Sequence, residues 1–269
     1  MILINLIVSG DCIMTIRLLS KQQLSLINKN TLKYRLAEAE KDYFLAIVLN
    51  CIYNSNLKNK LVFKGGTALY HCYLPQFRFS EDLDFTSTVK DITLENIVDV
   101  LKLEDFLEVK KHYVSNKTLK IEKLRYQGPL DMPNSLKVKI DFTQNVVLVP
   151  TEMEYKNFWK VETKLKVMDI REISAEKIRA MSGRARYRDF YDQYMILKNY
   201  DMNIDEIINL VGQKEIRELI SPASILSNWE IAREEKSKDL QRIYYKEVIS
   251  DTNIEKMLKK LSFDTIIVK

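Results

Sequence analysis

Two aspartates one residue apart, Asp82 and Asp84, close the run Arg78-Phe79-Ser80-Glu81-Asp82-Leu83-Asp84. In an extended segment alternate side chains share a face, so both carboxylates can reach one cation or a close pair of cations. Such hard oxygen donors suit Mg²⁺, which nucleotide enzymes share between one or two protein carboxylates and substrate phosphates. Upstream, Gly65-Gly66-Thr67 reads as a turn opening a helix. A helix start offers unpaired N–H groups and the positive end of a dipole, and glycine lets a phosphate come close to the backbone. Either feature alone is ordinary: aspartates flank many edge strands, and glycine pairs enter many helices. Together they suit metal-assisted phosphoryl chemistry, one part taking the phosphates and the other the metal that bridges them.

A third carboxylate, Asp141, lies between apolar neighbours in Val138-Lys139-Ile140-Asp141-Phe142. Burial there is costly unless the group is paired or metal-bound. It fits a further metal ligand and base of a two-metal site if its strand lies beside Asp82 and Asp84. Arg184 and Arg188 follow Lys177 by seven and eleven positions, which puts all three on one stripe if a single helix runs from Lys177 to Lys198. On that wheel Asp192 is a nearer partner for Lys177 than Asp189 is, with Gly183 the weak point. Arg78 suits a γ-phosphate or a brace for Asp82 or Asp84. Ser80 suits a phosphate or a turn cap. Tyr187, Phe190, Tyr191 and Tyr194 read as core rather than as stacking platforms for bases.

Regular elements must hold these groups. Apolar spacing predicts two helices from about Ser20 to Asn54, broken near Asn28-Lys29-Asn30-Thr31, then a buried strand Leu61 to Lys64 and a helix from Thr67 that stops at Pro75. Strand character returns at Leu83 to Thr86, and helical spacing at Thr93 to Leu103. Four β-rich runs follow, Leu107 to Val114, Thr118 to Tyr126, Leu136 to Thr143 and Val161 to Val167. Beyond about residue 170 the texture is helical, with further helices near Ile204 to Val211, Glu230 to Lys236, Leu240 to Ile249 and Ile254 to Leu261. The fold class is α+β, a mixed sheet flanked by helices and followed by a mainly helical part, with domains 1–170 and 171–269.

Composition narrows the chemistry. Hydrophobic residues make up 46% of the 269, enough for a substantial core. The net charge of +5 permits a polyanionic partner without requiring one. Cys12, Cys51 and Cys72 lack metal-site spacing, which argues against a disulfide framework or zinc. With only His71 and His112, histidine catalysis has little to draw on. The apolar opening Met1 to Gly10 lacks a basic flank and is too short to span a bilayer. No signal or membrane anchor is expected, a cytoplasmic location fits, and Met14 is a candidate initiator.

The motifs Phe63-Lys64-Gly65-Gly66-Thr67-Ala68-Leu69 and Arg78-Phe79-Ser80-Glu81-Asp82-Leu83-Asp84-Phe85 resemble the hallmark of the AbiEii/AbiGii nucleotidyltransferase toxin family, which includes MenT-type toxins. Glu176-Lys177-Ile178-Arg179-Ala180, with Arg184 and Arg188-Asp189-Phe190-Tyr191-Asp192, resembles its second block. The resemblance implies a DNA polymerase β-like nucleotidyltransferase core that uses NTP and Mg²⁺. It further implies a toxin of a toxin-antitoxin or abortive-infection system with a cognate antitoxin, and an acceptor such as the 3′ end of tRNA. On this match Gly66 and Thr67 are phosphate contacts; Lys64, Gly65, Arg78, Ser80, Arg184 and Arg188 complete the candidate phosphate- and nucleotide-binding set. Asp82 and Asp84, with Asp141 as a weaker match, belong to the metals, and Lys177 with Asp189 or Asp192 to nucleotide handling. A protein or small-molecule acceptor, and a catalytically silent nucleotide-binding module, are the competing readings.

Overall fold

The computed structural model describes residues 16–102, 104–143, 145–214, 216 and 218–267. The apolar opening, Cys12, Met14 and Leu103, the expected end of the helix from Thr93, lie outside them. The described residues group into two compact units. The first is drawn from Met1–Phe63, Glu81–Thr143 and Glu152–Val167, the second from Lys64–Ser80, Gln144–Thr151 and Met168–Lys269. This grouping differs from a cut into 1–170 and 171–269, because the segment carrying the glycine turn groups with the later helices.

In the first unit, helix α1 (Lys21–Asn30) begins at a capping box in which Ser20 accepts from the Gln23 amide. It ends where the Asn28 side chain bonds both backbone groups of Tyr34. Helix α2 (Leu36–Tyr53) is buried along most of its length. Strands β1 (Leu61–Lys64), β2 (Asp82–Ser87), β3 (Leu107–Val114), β4 (Thr118–Tyr126), β5 (Asn134–Asp141), β6 (Thr151–Glu154) and β7 (Lys164–Val167) form one sheet in the order β3-β4-β5-β2-β1-β7-β6. β2 runs parallel to β5 and β1 to β7, whereas β3, β4 and β5 are antiparallel, so the sheet is mixed as expected. Phe44 of α2 stacks on Tyr126 of β4 with ring centroids 3.9 Å apart. Leu83, Phe85, Ile121, Val138 and Ile140 are buried as well, each such side chain contributing about 1.5–3 kcal/mol of hydrophobic stabilisation. The short strand β6, exposed along most of its length, has no apolar alternation to announce it.

In the second unit, one α-turn, α3 (Gly65–Ala68), widens into a π-turn over Leu69–Tyr73, a distortion frequent at functional sites. The helix expected from Lys177 to Lys198 is two helices, α4 being Leu94–Leu101 in the first unit, α5 Ile170–Gly183 and α6 Tyr187–Asn199. Gly183 is a poor helix former, and Arg184 and Arg186 are extended, with φ,ψ of −162°,147° and −120°,119°. The cationic stripe predicted from an unbroken helix therefore does not exist. After α7 (Ile204–Gln213), α8 (Pro222–Arg242) starts on a Ser221 cap with proline in its first turn, a favourable entry. It replaces the two helices expected at Glu230 to Lys236 and Leu240 to Ile249. The chain beyond Ile243 is extended instead, because Phe79 donates its amide to the Tyr244 carbonyl and Lys246 donates to that of Phe77. α9 (Asp251–Leu258) follows. Tyr187, Phe190 and Tyr191 are core residues, as expected, Phe190 lying 5.2 Å from the Trp229 ring. Tyr194 is half-buried. Among the described residues no helix is long and apolar enough to cross a membrane.

Candidate functional site

Strand β2 alternates as its sequence requires. Leu83 and Phe85 are buried, while Asp82 and Asp84 are half-buried on the opposite face. Its parallel partner β5 does the same, and the register sets Asp82 beside Lys137, Asp84 beside Lys139 and Thr86 beside Asp141. The three aspartates thus share a sheet face, with Asp141 two residues further along than Asp84. Asp141 is buried, and Lys139 Nζ lies 3.0 Å from its Oδ2. Among the described residues no group of three or more His, Cys, Asp or Glu side chains is gathered closely enough to hold a metal. Asp82 and Asp84 form a pair of the kind that leaves most of a Mg²⁺ shell to phosphates and water. They stand at a cavity of about 700 Å³ whose wall is otherwise dominated by Lys111, Lys120, Lys123, Lys137 and Lys139. Lys41 of α2 holds Glu81 at 2.8 Å just ahead of the pair.

In the second unit the glycine turn is defined by close packing. Gly65 has φ 80°, a region other residues adopt only with strain. A Cβ on Gly66 would lie 2.7 Å from Arg78 Nη2 and 2.9 Å from Ser80 Oγ. Thr67 donates to Ser80 Oγ at 3.0 Å, so Ser80 braces the turn. Lys64 reaches Glu176 at 3.2 Å. Glu176 also meets Lys214, which is fully buried and bonds Glu172 as well, and Glu172 accepts the amides of Val147 and Leu148. Burial opposes the Glu176 charge, yet Lys64 and Lys214 hold its carboxyl down at about 2.

A second ionic cluster ties α5, α6 and the segment after the π-turn together. Arg78 donates Nε to Asp192 Oδ1 at 2.7 Å and Nη2 to Oδ2 at 2.6 Å, and Nη1 to the Phe79 carbonyl. Its plane lies 5.0 Å from the centre of the Tyr70 ring, whose hydroxyl also donates to Asp192. Lys177 Nζ is 2.6 Å from Asp192 and 3.0 Å from Asp189, and Arg184 grips Asp189 through Nε and Nη2. The break after Gly183 brings both aspartates to Lys177, where helical-wheel geometry separates them. Arg78 has neither role the sequence suggests, since its donors go to Asp192 and Phe79. Burial opposes the charge of both aspartates, and their cations hold both below the usual carboxylate range. Three cations meet two carboxylates here, an excess of one positive charge. Arg184 is 45% exposed along its side chain, so part of that charge is accessible. Arg188 is half-buried on α6. Burial, then Arg184 and Arg188, lower the neighbouring Arg186 from its ordinary value, a sign of crowded guanidinium groups.

The family described as nucleotidyl transferase AbiEii toxin, type IV TA system, matches residues 47–267. The chain belongs to the AbiEii nucleotidyltransferase toxin family. The AbiEii match takes in every candidate residue from Lys64 to Asp192, and it makes this chain an enzyme of the nucleotidyltransferase class. MenT4, a nucleotidyltransferase toxin of Mycobacterium tuberculosis H37Rv, is 21% identical, with a TM-score of 0.57 over 70% of this chain and 68% of that one, a likeness of fold. A protein of H. pylori described as a candidate nucleotidyltransferase, 21% identical, gives 0.49 over 86% of this chain and 100% of its own. No curated protein matches the chain. An NTP substrate and an antitoxin partner are what AbiEii membership implies.

Tyr70, Glu172 and Lys214 were not evident as site-supporting residues from sequence. Nothing local distinguishes a lysine such as Lys214 from the many solvated ones, and only its burial between two glutamates reveals it.

Proposed function

We propose that this AbiEii-family enzyme transfers a nucleoside monophosphate from an NTP to an RNA hydroxyl, the 3′ end of tRNA, and so halts translation in the cytoplasm until a cognate antitoxin neutralises it. The observation that carries the reading is the position of Asp82 and Asp84, together on the open face of β2 at a lysine-walled cavity. The donor set fits a hard divalent cation, since carboxylate oxygens of a pair are its preferred protein ligands. Asp82 and Asp84 would hold Mg²⁺, and bound metal would neutralise charge on the triphosphate; Asp141, paired with Lys139, is not gathered with them into a three-carboxylate group.

In the reaction the acceptor oxygen forms a bond to the α-phosphorus while the bond from that phosphorus to the bridging oxygen breaks, and pyrophosphate leaves with the electron pair. Asp141, on the same sheet face, accepts the hydroxyl proton. Gly66 lets Arg78 and Ser80 pack against the turn that would meet phosphate, and Lys177 with Arg184 supplies the excess positive charge that phosphate oxygens balance. Asp189 and Asp192 orient those cations.

The test is incubation of the purified chain with Mg²⁺, total tRNA and each labelled NTP in turn, beside Asp84→Ala. Label in tRNA that vanishes in the variant, with an unchanged melting curve, is expected. Full transfer by Asp84→Ala sinks the reading; NTP binding without label in RNA moves the acceptor to a protein or small molecule.

A further inference from the structure

We infer that the lysine-bearing face of β3, β4 and β5 is the track along which the phosphates of a single-stranded polynucleotide acceptor run toward Asp82 and Asp84; this rests on the transfer reading above. The ladder itself supplies the first argument. Lys120 of β4 sits directly opposite Lys139 of β5, and Lys111 of β3 opposite Lys123 of β4. Like charges directly opposite in neighbouring strands destabilise a sheet. A face that keeps two such pairs around one cavity is arranged for an anion rather than for its own stability.

The pairing pattern is the second argument. Lys111 is held by Glu122 at 2.6 Å and Lys139 by Asp141 at 3.0 Å. The side chains of Lys120, Lys123 and Lys137 make no hydrogen bond or ion pair among the described residues. Lys111, Lys120 and Lys137 crowd Glu122 closely enough to lower its carboxyl, the Lys111 bond being the largest effect. Five lysines therefore face three carboxylates around the cavity, and a divalent cation on Asp82 and Asp84 would leave the wall strongly basic. Its order is also suitable. β5 places Lys137 and Lys139 beside Asp82 and Asp84, β4 adds Lys120 opposite Lys139 and Lys123 further along, and β3 adds Lys111 opposite Lys123, so each strand outward from the acid pair, about 4.8 Å from the last, carries positive charge. A cavity of about 700 Å³ is of small-ligand size, room for the terminal part of such a strand.

The test reads binding without turnover. Anisotropy of a short fluorescent single-stranded RNA is titrated with the full chain at several salt concentrations, for the wild type, Lys120→Gln/Lys137→Gln, Lys120→Arg/Lys137→Arg and a control, Lys259→Gln/Lys260→Gln. NTP affinity and melting temperature are measured on each. The glutamine pair is expected to lower the slope of log affinity against log salt by about 1.4, two phosphate contacts at about 0.7 each. The arginine pair and the control keep the wild-type slope. An unchanged slope in the glutamine pair overturns the track, whether or not transfer is observed. RNA binding that depends on Lys120 and Lys137 in a protein that labels no RNA upholds the polynucleotide surface and refutes the transfer reading instead.

Discussion

Replacing Arg78 by methionine keeps much of the side chain's length and removes its charge, which isolates what the guanidinium does. Asp192 is wholly buried and takes two charge-assisted bonds from Arg78, at 2.7 and 2.6 Å. Removing one partner of a buried ion pair costs about 3–5 kcal/mol, because the other charge is left uncompensated. Lys177 still lies 2.6 Å from Asp192, so the low end, about 3 kcal/mol, applies. At roughly 2–4 °C per kcal/mol for a chain of this size, the melting temperature of Arg78→Met should fall by about 6–12 °C. Lys177→Met is the informative contrast. It leaves Asp192 with Arg78 and Asp189 with Arg184, each still paired through two bonds, so only about 1 kcal/mol is lost while nucleotide transfer disappears. Differential scanning fluorimetry with urea titrations at pH 7 would rank the two. The reasoning is refuted if Lys177→Met is the more destabilised variant, or if Arg78→Met melts within about 2 °C of the wild type.

Gly66→Ala should lower both stability and NTP affinity, because its Cβ would displace Arg78 Nη2 or Ser80 Oγ; wild-type NTP binding by calorimetry would show that the turn is roomier than its geometry. The folded Glu176 carboxyl, at about 2, lies below its ordinary 4.5, so its stabilisation is full above about pH 4.5 and fades as pH falls toward 2. Urea unfolding across that window should be less pH-dependent in Glu176→Gln, and parallel curves would deny the depressed value. Chelation of Mg²⁺ should abolish transfer yet leave the far-ultraviolet circular dichroism unchanged, whereas unfolding on chelation would assign the carboxylates a structural metal.

What could be read from sequence is what short-range rules control. The alternation Asp82-Leu83-Asp84-Phe85 places two carboxylates on one face because a strand has a period of two, and the sheet confirms it. The β-rich runs and the helices up to Tyr53 follow from the same periodicities. What escaped was decided by partners far along the chain. Leu240 to Ile249 has helical apolar spacing, yet its backbone bonds go to Phe77 and Phe79, which no local pattern announces. Ser221-Pro222 was a readable helix start, with Ser224 completing its capping box. Gly183 marked the weak point in the helix from Lys177, but only the two extended arginines show that it breaks.

The consequence of that break is chemical. On an unbroken helix Lys177 would share a solvated stripe with Arg184 and Arg188, and each cation would be compensated by water. The turn back into α6 instead buries Asp189 and Asp192 against Lys177, with Arg78 and Arg184 completing the set. A cluster built for stability alone would need only the two arginines, since each already satisfies one aspartate. Lys177 is the surplus charge, held in place by both carboxylates in a largely buried setting. Three cations on two carboxylates leave one positive charge in excess, which a bound anion would balance. On the proposed function that anion is the NTP, and loss of Lys177 would therefore show in transfer far more than in stability.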